Sequence, residues 1–396
     1  MKRVYLDFAA TTPIDSRVSK EMRDFELKYY GNPSSIHREG QSARAKIDFA
    51  REVIAKFINA KPQEIIFTSG ATEANNLAIQ GTVNRAILSG NSKPHVVTTL
   101  LEHQSVYNVV KELEKRGLIE ATYIKPSKDG QIKASDVLKA LQPNTVLVSI
   151  IFVSNEIGTI LPIREIGKAL AESKPGTRSP KPVFHVDAVQ AAKFYNLNVE
   201  KLNCNLLTLS AHKLYGPKGI GALYIKSGTK LSNLIFGGSQ EYGKRPGTQN
   251  TAGIIGFAKA VELLGSLEER EKFRKKLAKL RDQLIMGLQT IRNAELNGPA
   301  GDSRTADNAN FTFYNVDQDA LMTALDLAGI AASTGSACVS GSTEPSYVIE
   351  SLGKISDRAS ATARFTLGKN TTVKDIKYVI MTVKEILTKL RNENEK

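Results

Sequence analysis

The residues with the clearest chemical potential end one apolar stretch of the chain. Residues 206–209 read as a strand that leads into Ser210, Ala211, His212 and Lys213, and glycines and a proline then prevent the strand from continuing. A lysine crowded by a hydroxyl group and an imidazole loses its proton more easily and becomes a nucleophile for an aldehyde. Lys213 is therefore a candidate for Schiff-base chemistry. For this stretch alone, an ordinary lysine in a surface turn is the alternative.

A second candidate is the junction between a strand at 64–68 and a helix that opens with Ser69, Gly70, Ala71 and Thr72. Hydroxyl groups, backbone N–H groups and the positive end of the helix dipole together suit a phosphate group. The stretch has neither the Walker pattern nor the dinucleotide fingerprint. An ordinary helix cap by Ser69 or Thr72 is the alternative.

Strand and helix patterns alternate between residues 95 and 210, which predicts an α/β fold with a mainly parallel sheet. The carboxyl ends of such strands meet at one edge, where ligands bind. His103, Asn155 and Asp187 each follow a predicted strand. A carboxylate, a lysine and a phosphate-binding turn at one edge match what pyridoxal phosphate requires for its ring nitrogen, its aldehyde and its phosphate.

Two further residues lie towards the carboxyl end of the chain. Cys338 is surrounded by small and polar residues from 331 to 347, a composition typical of a mobile, exposed loop, whereas Cys204 leads into an apolar strand and is expected to be buried and inert. An incidental thiol or half of a metal site is the alternative for Cys338, but no cluster with ligand spacing supports a closed metal site. Arg364 suits a substrate carboxylate, and a structural ion pair is the alternative.

Composition limits the classes of function. The chain has 396 residues, is 41% hydrophobic and carries a formal charge of +14, but its lysines are scattered without the interleaved aromatic residues of a nucleic-acid groove. We therefore expect no direct contact with nucleic acid, although a basic nucleic-acid-binding or scaffold protein without catalysis is the rival class. No apolar run is long enough for a membrane span, and the two cysteines fit a reducing compartment, so the cytoplasm is expected.

The pattern also predicts the domain organisation. Residues 252–292 read as one helix of some forty residues that connects two domains. We expect a large cofactor-binding domain at 15–260, and a smaller α+β domain at 261–396 that carries the cysteine loop at about 333–346. Residues 1–14 are expected to associate with the smaller domain.

Together these motifs resemble the cysteine desulfurases, fold-type I pyridoxal-phosphate enzymes of the class V aminotransferase group. The resemblance covers nearly the whole chain, and its motifs are YLDFAATTP at 5–13, TSGATE at 68–73, NEIG at 155–158, HVDAVQ at 185–190, SAHK at 210–213, GSAC at 335–338 and EPSY at 344–347. The long cysteine loop is similar to that of the housekeeping iron–sulfur and nitrogen-fixation branch. A large domain with a sheet of the seven-stranded type is thereby implied.

The resemblance also implies a role for each site residue. Lys213 would form the Schiff base, Asp187 would pair with the pyridine nitrogen, and Gln190 would donate a hydrogen bond to the ring hydroxyl. His103 would stack on the cofactor and take part in proton transfer, and Asn155 and Arg364 would orient the substrate carboxylate. Contacts to the cofactor and its phosphate would come from Ala71, Thr72, Ser210 and His212, with a further phosphate contact from Thr248 of the second subunit of a homodimer.

The implied reaction converts L-cysteine to L-alanine and leaves the sulfur as a persulfide on Cys338. The persulfide would pass to an iron–sulfur scaffold protein or another acceptor, for cluster assembly, tRNA thiolation or both. Cys338 could also ligate a cluster transiently with such a scaffold. A selenocysteine lyase or another class V pyridoxal-phosphate aminotransferase is the nearest alternative.

Overall fold

The structure of the chain, a computed structural model, describes residues 3–173, 181–334, 346–353 and 360–394. Cys338 and most of the predicted cysteine loop lie outside these ranges. The helices are α1 Ser16–Lys28, α2 Arg38–Ile58, α3 Ala71–Leu88, α4 Gln104–Lys115, α5 Ala134–Ala140, α6 Ile163–Glu172, α7 Val199–Leu202, α8 Thr251–Glu262, α9 Leu267–Gln289, α10 Gln318–Leu327, α11 Tyr347–Ser351 and α12 Val373–Asn394. The strands are β1 Val4–Tyr5, β2 Ile65–Thr68, β3 His95–Thr99, β4 Glu120–Ile124, β5 Thr145–Ile151, β6 Val183–Asp187, β7 Leu206–Ser210, β8 Gly221–Ile225, β9 Ala294–Leu296, β10 Asn308–Tyr314, β11 Ile330–Ala331 and β12 Ser360–Thr366.

The largest sheet has seven strands in the order β2-β8-β7-β6-β5-β3-β4. The pairs from β4 through β3, β5 and β6 to β7 are parallel, while β8 runs antiparallel to both of its neighbours. The central strands are buried almost throughout, as expected where helices cover both faces of a parallel sheet. The predicted α/β fold with a mainly parallel sheet is therefore confirmed.

A second, smaller sheet contains β12, β10 and β9, all antiparallel. It shares a hydrophobic cluster with α9, α10 and α12, and Val4 and Leu6 of the N-terminal segment also belong to this cluster. The strand β1 pairs with β11, and Asp7 forms an isolated bridge with Thr366. The N-terminal segment therefore packs beside the smaller sheet, while the exact domain boundaries stay a prediction.

The prediction of one helix over 252–292 is wrong. The helix α8 ends at Glu262, and α9 begins at Leu267 after Gly265, whose φ is +73°. Ser266 accepts a hydrogen bond from the backbone of Glu269, whose carboxylate accepts one from the backbone of Ser266. This reciprocal capping box starts a new helix and interrupts the apparent continuity of the pattern.

Within the described ranges, no helix has both the length and the apolar character needed to cross a membrane.

Candidate active site

One cavity of about 470 Å³ opens at the carboxyl edge of the parallel strands. It is lined by residues that follow β3, β5, β6 and β7, by the start of α3 and by β12 of the smaller sheet. The predicted site residues that line it are Ala71, Thr72, His103, Asn155, Asp187, Gln190, Ser210, His212, Lys213 and Arg364.

Lys213 lies in a short 3₁₀ turn directly after β7. Its Nζ donates hydrogen bonds to the carbonyl oxygens of Ala9, at 2.5 Å, and Ala10, at 2.6 Å. The N-terminal segment is held against this turn because Thr12 donates to the carbonyl oxygen of His212, through both its backbone and its hydroxyl group. The lysine is thus oriented by backbone carbonyl groups that are remote from it in sequence.

His212 precedes the lysine and also lies against the N-terminal segment, with Nδ1 at 3.1 Å from the Thr11 hydroxyl oxygen. Burial, and next the positive charges of Lys213 and Lys218, lower the pKa of His212 to about 4. The imidazole is therefore neutral at physiological pH, so any contact with a phosphate group would be a hydrogen bond without a formal charge on the ring.

The turn between β2 and α3 also lines the cavity. Gly70 has a φ of +155°, which side chains rarely permit, and it precedes the first helical residue, Ala71. A Cβ atom at Gly221 would lie 2.8 Å from the backbone of Gly70, so the start of β8 also requires glycine. The close backbone approach directs the N-terminal turn of α3 into the cavity, where its N–H groups suit an anion.

A carboxylate also contacts this turn. Glu73 accepts a hydrogen bond of 2.7 Å from the backbone of Ser69 and one of 2.9 Å from Arg245. The sequence interpretation gave Glu73 no role of its own. The ion pair attaches the loop that follows β8 to the helix start and brings a guanidinium group near the turn predicted to bind phosphate.

Asp187 ends β6 and is almost fully buried. One carboxylate oxygen accepts from the backbone of Val189 at 3.1 Å, and the other accepts from the Asn75 amide at 2.9 Å. Gln190, one turn later, donates to the carbonyl oxygen of Ala9 at 3.0 Å. The carboxylate is thus fixed by two donors before any ligand binds.

His103 caps α4, and its Nδ1 accepts from the Ser105 backbone at 3.1 Å. The Ser105 hydroxyl oxygen lies 2.8 Å from the same Nδ1 and receives a hydrogen bond of 2.8 Å from Asn75. A continuous chain of hydrogen bonds therefore runs from His103 through Ser105 and Asn75 to Asp187.

Arg364 is fully buried in β12. It donates to Asp7 at 3.1 Å and to the carbonyl oxygen of Asn155 at 3.0 Å. The positive charge of Arg364 lowers the pKa of Asp7, but burial of the carboxyl group has the larger effect and raises it. The side-chain carbonyl oxygen of Asn155 is buried and has no hydrogen-bond partner in the described part of the chain. A buried acceptor of this kind is available to a hydrogen-bond donor that enters the cavity.

Two buried carboxyl groups follow β3 and β5 at this edge, and one of them, Glu156, lines the cavity. Glu156 accepts from the Ser346 hydroxyl at 2.5 Å, and Glu102 accepts from Thr99 at 2.7 Å and from the backbone of Ile151 at 3.0 Å. Burial raises the pKa of Glu156, and it raises that of Glu102 to about 8. Both carboxyl groups thus resist ionisation beside the site.

Thr248 does not line the main cavity. It lies at a neighbouring cavity of about 180 Å³ that shares Ser69 and Gly219 with the main one. Its loop is anchored by Glu241, which pairs with the buried Arg51 at 2.7 and 2.8 Å. The role predicted for Thr248 across a dimer stays a prediction.

Cys338 lies outside the described residues, so its predicted role also stays a prediction. Cys204 is buried, and burial raises its pKa to about 12, which agrees with the expectation of an inert thiol. No group of three or more metal-ligating side chains occurs among the described residues.

The sequence interpretation missed the carbonyl groups of Ala9 and Ala10 and the pair formed by Asn75 and Ser105. Backbone carbonyl groups leave no trace in residue type, and the carbonyl groups that contact Lys213 lie about 200 positions away. The contact between His103 and Ser105 could have been predicted, because the side chain of an N-cap residue normally accepts a hydrogen bond from the backbone N–H group two positions later.

Comparison with known proteins agrees with this arrangement. The class-V aminotransferase family matches residues 4–379. A protein named cysteine desulfurase IscS from Dictyoglomus turgidum is 45% identical over 393 residues, which are 99% of this chain and 96% of that protein. Another protein of that name, from Methanosarcina thermophila, is 41% identical over 99% of this chain and 93% of its own length.

Solved structures have the same fold. A NifS-like protein is 34% identical with a TM-score of 0.87, over 98% of this chain and 100% of its own. The predicted resemblance is therefore confirmed, and the chain belongs to the class-V aminotransferase family, within the family of the cysteine desulfurases.

Proposed function

We propose that this protein is a pyridoxal-phosphate-dependent cysteine desulfurase that converts L-cysteine to L-alanine and retains the sulfur as a persulfide on Cys338. The observation that carries the proposal is the convergence of Asp187, Lys213 and the Gly70 turn on one cavity. A carboxylate, an amine and a helix N-terminus are the groups that this cofactor requires.

The residues of the cavity fit the cofactor. The volume of about 470 Å³ lies in the range of cofactor pockets, and the Asn155 side-chain oxygen lacks a partner there. Asp187 would pair with the ring nitrogen, Lys213 would anchor the cofactor, and Thr72, Ser210 and His212 would contact the phosphate. When bound, pyridoxal phosphate supplies an electron-accepting ring that stabilises negative charge on the substrate.

The chain's own residues then perform the remaining tasks. Arg364 would bind the substrate carboxylate, because its guanidinium group is held by Asp7 and Asn155 in a fixed orientation. Lys213 would also carry the proton taken from the substrate. The carbonyl groups of Ala9 and Ala10 keep its Nζ at the cavity wall.

The sulfur transfer balances without an external oxidant. The Cys338 thiolate forms a bond to the substrate sulfur, and the carbon–sulfur bond of the substrate breaks with its electron pair on carbon. Protonation of the carbon fragment gives alanine, so cysteine plus one enzyme thiol yields alanine plus one persulfide.

We further propose a cytoplasmic homodimer in which Thr248 contacts the phosphate of the second subunit. The persulfide would pass to an iron–sulfur scaffold or another acceptor for cluster assembly, tRNA thiolation or both. The relatives named cysteine desulfurase support removal of sulfur from cysteine. A solved neighbour described as SspA in complex with cysteine supports cysteine as the substrate; it is 35% identical with a TM-score of 0.78, over 92% of this chain and 99% of its own.

The test is turnover of L-cysteine in the presence of a thiol reductant, measured as alanine and sulfide in equal amounts. Cys338→Ala is expected to keep the visible absorption of the cofactor and to abolish sulfide release. The matched control is Cys204→Ala, which changes the other, buried cysteine and should retain turnover. Unchanged sulfide release by Cys338→Ala would disprove the persulfide role, and turnover of selenocysteine alone would favour the lyase alternative.

A further inference from the structure

The chain of hydrogen bonds that ends at His103 fixes the position of one proton. A backbone N–H group can only donate, and the Ser105 N–H donates to His103 Nδ1 at 3.1 Å. The Nδ1 atom must therefore present its lone pair and carry no proton.

The Ser105 hydroxyl group must also donate to His103 Nδ1, because that nitrogen carries no proton. Ser105 Oγ lies 2.8 Å from Nδ1, so its hydrogen must point towards that nitrogen. Asn75 Nδ2 donates to Ser105 Oγ at 2.8 Å and supplies the hydrogen bond that the hydroxyl oxygen accepts. The same Nδ2 donates to the Asp187 carboxylate at 2.9 Å, which fixes the amide orientation, because a carboxylate accepts hydrogen bonds.

Water does not compete for the hydrogen bonds that join His103, Ser105, Asn75 and Asp187. Asn75 and Asp187 are almost completely inaccessible to solvent, and Ser105 is 8% exposed. A second proton on the ring would bring an Nδ1–H group against the Ser105 N–H group. The ring also caps the positive end of α4, which disfavours a cation.

The charged groups around the ring have opposite effects. Burial lowers the pKa of His103, the Asp187 carboxylate opposes that shift, and the Lys213 and Arg364 cations add to it. The net direction is downwards, which agrees with the geometry.

We propose that Asn75 and Ser105 are positioning residues that hold neutral His103 in the Nε2–H tautomer, so that His103 acts as a hydrogen-bond donor and not as a base. The functional part of this inference rests on the proposed desulfurase reaction. Neutral imidazole accepts a proton only at the nitrogen that lacks one, and here that nitrogen already accepts two hydrogen bonds from Ser105. Proton transfer would then fall to Lys213, and the proton-transfer role that the resemblance implied for His103 would be replaced by donation from Nε2.

The test is nitrogen NMR of the full chain with ¹⁵N-labelled histidine, both loaded with pyridoxal phosphate and stripped of it. The chain has five histidines, and a His103→Gln variant identifies the signal of His103. We expect the Nε2–H tautomer near neutral pH in both forms. An Nδ1–H tautomer or a doubly protonated ring would overturn the proposal, and this result depends on the wild-type protein alone.

Variants then test the two positioning residues. Ser105→Ala removes a donor to Nδ1 and should raise the titration midpoint of His103 by about one pH unit, the equivalent of one hydrogen bond. Asn75→Ala should raise it by less, while Ser105→Thr keeps the hydroxyl and should restore the wild-type midpoint. The matched control, Asn84→Ala on the same helix, should leave it unchanged. Midpoints that stay the same in both Ser105→Ala and Asn75→Ala would contradict the role of these residues.

The two proposals fail separately. A wild-type protein with the Nε2–H tautomer but no turnover of L-cysteine would overturn the proposed function and leave the tautomer assignment intact. An active desulfurase with an Nδ1–H ring would overturn only the assignment.

Discussion

The Asn75 amide nitrogen lies 2.9 Å from a carboxylate oxygen of Asp187, and a single residue thereby connects α3, one turn after its start, to the end of β6. The helix start is the candidate phosphate site, and the strand end is the candidate partner of the ring nitrogen. The hydrogen bond thus fixes the distance between two groups that, in the proposed function, would bind opposite ends of one cofactor.

The charge on Asp187 should be essential for turnover and dispensable for binding of the cofactor. Asp187→Asn removes the carboxylate that would keep the ring nitrogen protonated, so we expect turnover to fall by on the order of 10²-fold or more. The visible absorption should remain, because the lysine and the phosphate turn are intact. Asp319→Asn, an exposed position, is the control, and undiminished turnover by Asp187→Asn would refute the assignment.

Lys213 should be necessary both for the anchored cofactor and for proton transfer. Lys213→Ala is expected to lose the absorption band of the lysine-bound cofactor and to lower turnover by at least about 10²-fold, the usual effect of removing a proton carrier. Lys226→Ala changes an exposed lysine beyond β8 and should behave as the wild type. An absorption spectrum of Lys213→Ala that matched the wild type would contradict this role.

The ion pair between Arg51 and Glu241 should stabilise the fold as well as the Thr248 loop. Both side chains are nearly inaccessible, so Glu241→Ala leaves an unpaired buried cation and should lower the free energy of unfolding by about 3–5 kcal/mol. Asp48→Ala, on the helix α2 that also carries Arg51, breaks an exposed ion pair with Arg44 and should lower the free energy of unfolding by no more than about 0.5 kcal/mol. Denaturant titration measures both, and equal effects would argue against the special role of the buried pair.

Glu102 should make stability depend on pH. Burial raises its pKa from 4.5 to about 8, so between these values the folded protein keeps a proton that the unfolded chain releases. The stabilising effect is complete below pH 4.5 and is lost as the pH rises towards 8, by as much as about 1.4 kcal/mol per pH unit. Glu102→Gln should flatten this dependence, whereas the exposed Glu52→Gln should not. Parallel stability curves for wild type and Glu102→Gln would show that Glu102 ionises normally.

The sequence predicted the parts of the site that depend on strand order. Because parallel strands end at one edge, His103, Asn155, Asp187 and Ser210 could be grouped before their contacts were known, and the structure brings them to one cavity. The break between α8 and α9 could also have been predicted from the sequence, since Ser266 and Glu269 have the spacing of a capping box.

Other contacts were beyond the reach of sequence patterns. The carbonyl groups of Ala9 and Ala10 contact Lys213 only because the N-terminal segment crosses from the smaller sheet to the lysine turn. The pairing of Asn75 with Ser105 depends on the distance between two helix starts. Such contacts follow from tertiary packing, and neither residue type nor spacing encodes them.

The most direct test of the central claim is the mass of the peptide that contains Cys338 after brief exposure of the purified protein to L-cysteine without a reductant. We predict a gain of one sulfur atom on Cys338, together with one alanine released per persulfide formed. A peptide of unchanged mass, accompanied by release of alanine, would contradict sulfur transfer through this cysteine.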